Sequence, residues 1–294
     1  MPSSRSILRR SPYLGLVCPS YKPFWYDDGD LLLIVKDHVF RLRRATLFCS
    51  EIFRDMFTFA RPSPEESFEG CTVIHLTDEP EDWMLLLQCL DDSHGNFWEK
   101  DEPTYDMIAS ILRLATKYEV SEVRACTIAK LHELWPLPAS LETMDTRAFS
   151  PHRADAVALA RQCDLPEILP AIFYSLAVDY THSGGRVLPG RLSEPVDQRR
   201  LIVGAARLDA FFANALQRAQ ALGCCSGCRA CIRERWSALL GGAWTLRAMY
   251  WQWEEIADEK AWNGLCMDCF CSYESFLEMT RTHLRDAIPG FFGL

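Results

Sequence analysis

The chain has 294 residues, 49% of them hydrophobic, and a formal charge of −9. That is enough apolar material for one large or two ordinary cores, and no apolar run approaches the ~18–20 residues of a membrane span. The charge is uneven: residues 23–136 carry 11 basic against 22 acidic groups, which argues against a phosphate-backbone binder, because that needs a basic surface.

Residues 1–22, rich in Ser, Arg and Pro with no acidic group, read as a flexible arm. The apolar stretch from Tyr13 to Val17 is too short for a secretory signal and prolines flank it. Thirteen cysteines without such a signal point to a reducing, intracellular setting, cytoplasmic or nuclear, with thiols and metal rather than disulfides. Asp30-Leu-Leu-Leu-Ile-Val35 reads as a buried strand, and the alternating Val39-Phe40-Arg41-Leu42-Arg43 pairs with it across a turn at Asp37-His38. Residues 45–59 carry Leu47, Phe48, Ile52, Phe53, Met56 and Phe57 at near-helical spacing. A third strand follows over 72–76. A helix starting near Pro80 has the face Trp83, Leu86, Leu87, Leu90, and a polar loop over 91–103 leads to a second such face, Ile108, Ile111, Leu112, Ala115. A third helix is predicted from Ser121 as N-cap to Leu134, stopped by Pro136 and Pro138.

The strand at 30–35, Val39-Phe40-Arg41-Leu42, the stretch Thr46-Leu-Phe-Cys-Ser-Glu-Ile-Phe-Arg-Asp-Met-Phe57, and the later segments Ile74-His-Leu76, 83–90 and 108–120 together resemble the BTB/POZ domain in order and spacing. The resemblance covers residues 23–136. It implies an α+β fold, a short sheet flanked by helices, and a role in protein–protein interaction. Arg43 and Arg44 depart from the family, which often has histidine after the second strand. Pro12, Pro19 and Pro23 leave no expected counterpart of the additional strand or helix that sometimes precedes the first strand. Some BTB proteins contact a cullin scaffold through an apolar-x-Glu tripeptide; Phe97-Trp98-Glu99 matches it, with Phe97 as the apolar plug and Glu99 as the rim carboxylate. A loop with two docked aromatics is the plainer reading of the same three residues.

Residues 137–152 read as a linker, and 153–294 as a mostly α-helical region. Two helices are expected over 154–163 and 169–176, then a longer one over 199–222 with Gly223 as C-cap. The layout resembles a lineage of fungal, basidiomycete-like BTB proteins whose cysteine-containing helical half ends in a similar Phe-Gly-Leu.

Seven of the 13 cysteines fall in two short stretches, Cys224-Cys225-Ser-Gly-Cys228-Arg-Ala-Cys231 and Cys266-Met-Asp-Cys269-Phe-Cys271. Each contains Cys-x-x-Cys, and two such pairs supply the four sulfurs of a tetrahedral zinc site. The preferred ligands are Cys225, Cys228, Cys266 and Cys269, since Gly227 suits a tight metal turn; Cys228 and Cys231 as the first pair remain an alternative. Four sulfurs would make the ion structural, with no open position for a catalytic water. The competing reading is reduced cysteines buried as small hydrophobes, which fits the six scattered ones. Five of nine tryptophans lie between Trp236 and Trp262, and packing explains them better than a peptide groove.

His132-Glu133 is not followed by a second histidine four residues on, and there is no Gly-x-Ser-x-Gly, Walker loop or Gly-x-Gly-x-x-Gly. The expectation is a non-enzymatic scaffold or adaptor whose partners are proteins, itself or a cullin among them, with no membrane. Two further readings stay open. One is a substrate adaptor of a cullin-type ubiquitin ligase. The other is a nuclear regulator with a zinc-stabilised module contacting DNA through Arg229, Arg233 and Arg235; the near neutrality of residues 137–294 disfavours it.

Overall fold

The computed structural model describes residues 9–10, 17–18, 20–59, 67–68, 70–91, 97–100, 103–135, 152–182, 192, 194–222, 225–240 and 265–294. The fold is α+β, and the chain divides into two compact units, Met1–Leu131 and His132–Leu294. The expected linker over 137–152 lies outside the described residues, save His152.

The first unit is organised by a five-stranded sheet in the order β3-β5-β4-β7-β6, where β3 is Ser20–Trp25, β4 Leu31–Val35, β5 His38–Leu42, β6 Ser67–Phe68 and β7 Cys71–Leu76. A separate two-stranded ribbon pairs β1 (Arg9–Arg10) with β2 (Val17–Cys18). Every residue of β4 is buried. It lies between β5, which it meets antiparallel with Leu31 opposite Leu42, and β7, which runs parallel with Leu31 opposite Thr72. A central strand covered on both faces needs no polar alternation, and its sequence has none. Lys36, at φ 53°, makes the tight turn of the β4–β5 hairpin.

Two sequence expectations need correction here. A strand does precede the first one: β3 adds parallel to the edge of β5 with a register shift between Ser20 and Trp25. Proline is tolerated on an edge strand, where its missing N–H faces away from the ladder, so Pro23 did not forbid it. The helix expected over 45–59 is two pieces, a 3-10 turn at Arg44–Leu47 and α1 at Glu51–Phe59. Ser50 makes the break. Its buried hydroxyl accepts the Phe53 N–H at 3.1 Å, capping α1, and donates to the Tyr118 carbonyl.

Helices α2 (Pro80–Asp91), α3 (Phe97–Lys100), α4 (Tyr105–Lys117) and α5 (Ser121–Leu134) complete the unit, α5 continuing past its boundary at Leu131. Thr104 caps α4 by accepting from Met107 N–H. Phe53, Trp83 and Tyr118 form an aromatic cluster with centroids 5.0–5.9 Å apart, joining α1, α2 and the end of α4. Asp78 sits at its rim and accepts from the Trp83 indole (3.4 Å), the Tyr118 hydroxyl and the Lys117 ammonium.

The described elements of the second unit are all helices. It comprises α6 (Arg153–Gln162), a 3-10 turn at Pro166–Ile168, α7 (Leu169–His182), α8 (Pro195–Ala221), α9 (Ser226–Leu240) and α10 (Met267–Phe292). The α8 helix begins four residues before the expected 199, because Pro195 occupies its first turn, where no N–H is needed. Gly223 lies outside the described residues, and Leu222 ends the helix. Buried Asp197, also in that first turn, pairs with Arg161 from α6 and Arg200. Along α10 the buried side chains are Cys269, Tyr273, Phe276, Leu277, Thr280, Leu284, Ile288 and Phe292, one continuous helical stripe.

At the far end of that stripe a Cβ on Gly204 of α8 would lie 2.0 Å from the Phe292 ring, so only glycine fits; Phe173 of α7 stacks on the same ring at 5.5 Å. Arg207 donates to the Gly290 and Phe291 carbonyls at 2.9 and 3.0 Å, matching a cation to a helix C-terminus, and Gly293 closes the helix at φ 65°.

Burial pushes the Asp78 carboxyl up, but the hydrogen bonds from Lys117, Tyr118 and Trp83 outweigh it and hold it below the usual carboxylate value. A depressed folded-state value contributes stability fully above the ordinary carboxylate pKa, and that contribution is lost as pH falls through the folded value. Asp78→Ala should cost about 1–3 kcal/mol at neutral pH, the penalty of three donors left without their acceptor. In urea titrations repeated at several pH values, its deficit against wild type should shrink in acid. A deficit independent of pH would show that the carboxylate charge is not what matters.

Candidate metal centre

Both Cys-x-x-Cys pairs start helices. The Cys225 carbonyl accepts the Arg229 N–H at 3.1 Å, placing Cys225 at the N-cap of α9 and Cys228 in its first turn. Cys266 is the N-cap of α10, its carbonyl accepting from Phe270 at 2.9 Å, with Cys269 in the first turn. The first turn of a helix leaves N–H groups without intrahelical acceptors and carries partial positive charge. Sulfur supplies acceptors here: Cys228 N–H points to Cys225 Sγ at 3.4 Å, and Cys266 N–H to Cys228 Sγ at 3.3 Å, a bond that crosses from one pair to the other.

The Sγ atoms of Cys225, Cys228, Cys266 and Cys269 all lie within 4.8 Å of one another. Four thiolates around an ion at the usual zinc–sulfur distance of ~2.3 Å would sit roughly 3.8 Å apart, so the cluster is compatible with a metal site. Cys228 and Cys269 are buried, whereas Cys225 and Cys266 are exposed. The division follows from the helices. Cys269 opens the buried stripe of α10, and Cys228 precedes buried Ile232 by one turn on α9, while each N-cap cysteine sits outside that face.

The Cys266 N–H draws the Cys228 thiol downward, but the neighbouring Cys225 sulfur, burial and the Cys269 and Cys266 sulfurs together push it up to about 12. Crowded sulfurs resist ionising beside one another. A cation among them would reverse that balance, because a coordinated thiol is deprotonated outright.

The preferred sequence register is therefore the one whose sulfurs converge. Cys231, the alternative ligand, is half-buried in the second turn of α9, and Cys271 is exposed on α10. The reason given for the register does not survive: Gly227 is helical, and a Cβ on it would meet no atom within 4 Å. What sequence reading missed was that the pairs are helix starts rather than free turns. Of the scattered cysteines, Cys71 and Cys163 are buried as expected, but Cys49 and Cys126 are exposed. The tryptophan-rich stretch from Trp236 to Trp262 falls on side chains outside the described residues.

Phe97 and Trp98, in the short α3, pack edge to face at 5.0 Å and lean half-buried on the core of the first unit, while Glu99 is exposed. No family model matches the chain, and neither does any curated protein or solved structure.

Gly227→Ala should leave stability unchanged or raise it by up to about 1 kcal/mol, the helix-interior difference between the two residues. Thermal melts of the two proteins side by side would show it. A large loss would mean that the first pair forms a turn needing glycine after all.

Proposed function

We propose that this chain is a non-enzymatic protein-interaction scaffold or adaptor, built on a BTB/POZ-like first unit and a helical second unit tied by one structural zinc ion at Cys225, Cys228, Cys266 and Cys269. The observation that carries the first half is connectivity. A hairpin (β4–β5) leads through a capped helix (α1) to a strand parallel with the hairpin's first (β4 with β7), followed by a series of helices. That is the order in which the resembling segments occur in the sequence. Support for the zinc comes from the donor set: four sulfurs in reach of one ion, a soft ligand set that favours zinc among the common divalent metals, and no further position for a substrate.

Surface chemistry of the first unit supports a protein partner. Phe48, Ile52 and Phe59 are 49%, 36% and 79% exposed. Ile52 and Phe59, seven residues apart on α1, share one helical face, and Phe48 leads into it. Apolar side chains grouped in this way favour association more than isolated ones do. Glu99, exposed beside half-buried Phe97, favours the cullin-adaptor reading as the second one.

Affinity capture of the tagged chain from its native cells, with quantitative identification of bound proteins, separates these readings. A partner at near-equal stoichiometry, a second copy included, should be lost with Ile52→Asp plus Phe59→Asp while circular dichroism is unchanged. Cullin that is lost instead with Phe97→Ala plus Glu99→Ala would make the chain a ligase adaptor. Absence of any stoichiometric partner would contradict the proposal.

A further inference from the structure

The sulfur cluster has an asymmetry that a purely structural site does not need. Each Cys-x-x-Cys pair contributes one buried sulfur, Cys228 (4% exposed) or Cys269 (2%), and one exposed cysteine, Cys225 or Cys266. The exposed two come from different helices and sit at their N-caps. Their exposure leaves both residues open to a small oxidant. The Sγ atoms of all four lie within 4.8 Å of one another, so the two exposed sulfurs already stand within a few ångströms of bonding distance.

We propose that Cys225 and Cys266 form an oxidant-sensitive latch on the zinc site, through which a peroxide releases the ion. This rests on the zinc reading given above. In the first step one of the two thiolates attacks a peroxide oxygen; the O–O bond breaks, the cysteine becomes a sulfenic acid and hydroxide departs. In the second step the other thiolate attacks that sulfur, the S–O bond breaks, a Cys225–Cys266 disulfide forms and a second hydroxide leaves. Two electrons pass from the two sulfurs to the peroxide, and two protons from solvent turn both hydroxides into water. The ion is left with Cys228 and Cys269 alone, half of a four-sulfur site, and dissociates. The new disulfide joins the starts of α9 and α10 in its place, so the helices stay tethered while the metal is lost. A dithiol reductant returns both electrons, and added zinc restores the original site.

The test uses the full chain, purified under reductant and then freed of it. Zinc per chain is measured first. Hydrogen peroxide is then titrated in, with a chromophoric chelator reporting released zinc and peptide mapping reporting disulfides. The expected result is loss of one zinc per chain together with one Cys225–Cys266 disulfide, both reversed by dithiothreitol and zinc. Cys49, Cys126 and Cys271 are also exposed, so a variant with serine at all three should behave as wild type does. Three results would overturn the proposal: zinc retained while Cys49, Cys126 or Cys271 is oxidised, zinc released without that disulfide, or bridges within each pair. A chain that carries no zinc at the outset would overturn the metal reading itself, which is a separate result from a zinc that resists peroxide.

Discussion

Two helix starts meet at one point, and there the second unit joins α9 to α10, each of which also packs on α8. The N-termini of α9 and α10 bring partial positive charge and unsatisfied N–H groups to the same few ångströms, which is unfavourable unless something negative lies between them. Cysteine sulfur fills that requirement twice over. The sulfurs of Cys225 and Cys228 accept N–H groups, and thiolates around an ion would supply charge. The N–H of Cys266 bonded to the sulfur of Cys228 makes the two pairs one structure rather than two adjacent turns. A divalent ion among four thiolates would leave the group with two net negative charges, enough to suit both helix ends at once.

The rest of the unit extends from that point along α10. Its buried stripe begins at Cys269 and ends at Phe292, whose ring occupies the space left by Gly204 and stacks on Phe173. The helix is therefore held at both ends by different means, sulfur at the start and a ring seated against glycine at the finish, with Arg207 on its last carbonyls. The first unit uses another strategy. There β4 is the central strand, and the polar atoms of Ser50 and Asp78 fix how α1, α2 and α4 meet the aromatic cluster above it.

Much of this was legible in the sequence, for identifiable reasons. The unbroken apolar run of β4 and the 3.6-residue faces of α2 and α4 are local patterns, and they appear where expected. Spacing marked the cysteine pairs but left two registers for the first, and the argument from Gly227 that chose between them was mistaken. What could not be read depended on distant partners. β3 exists because β5 offers it an edge, and the helix expected over 45–59 breaks at Ser50, whose hydroxyl donates to the Tyr118 carbonyl 68 residues away. The stripe from Cys269 to Phe292 was present in the sequence as a helical period. It went unread because its first member looked like a ligand and not like a core residue, whereas Cys269 is both.

X-ray absorption at the zinc edge, on protein purified under reductant, measures the central claim most directly. The account predicts zinc near one per chain, with a single shell of four sulfurs at about 2.3 Å. Nitrogen or oxygen scatterers at roughly 2.0–2.1 Å, or protein that folds fully without metal, would contradict it and leave the cluster as four packed thiols.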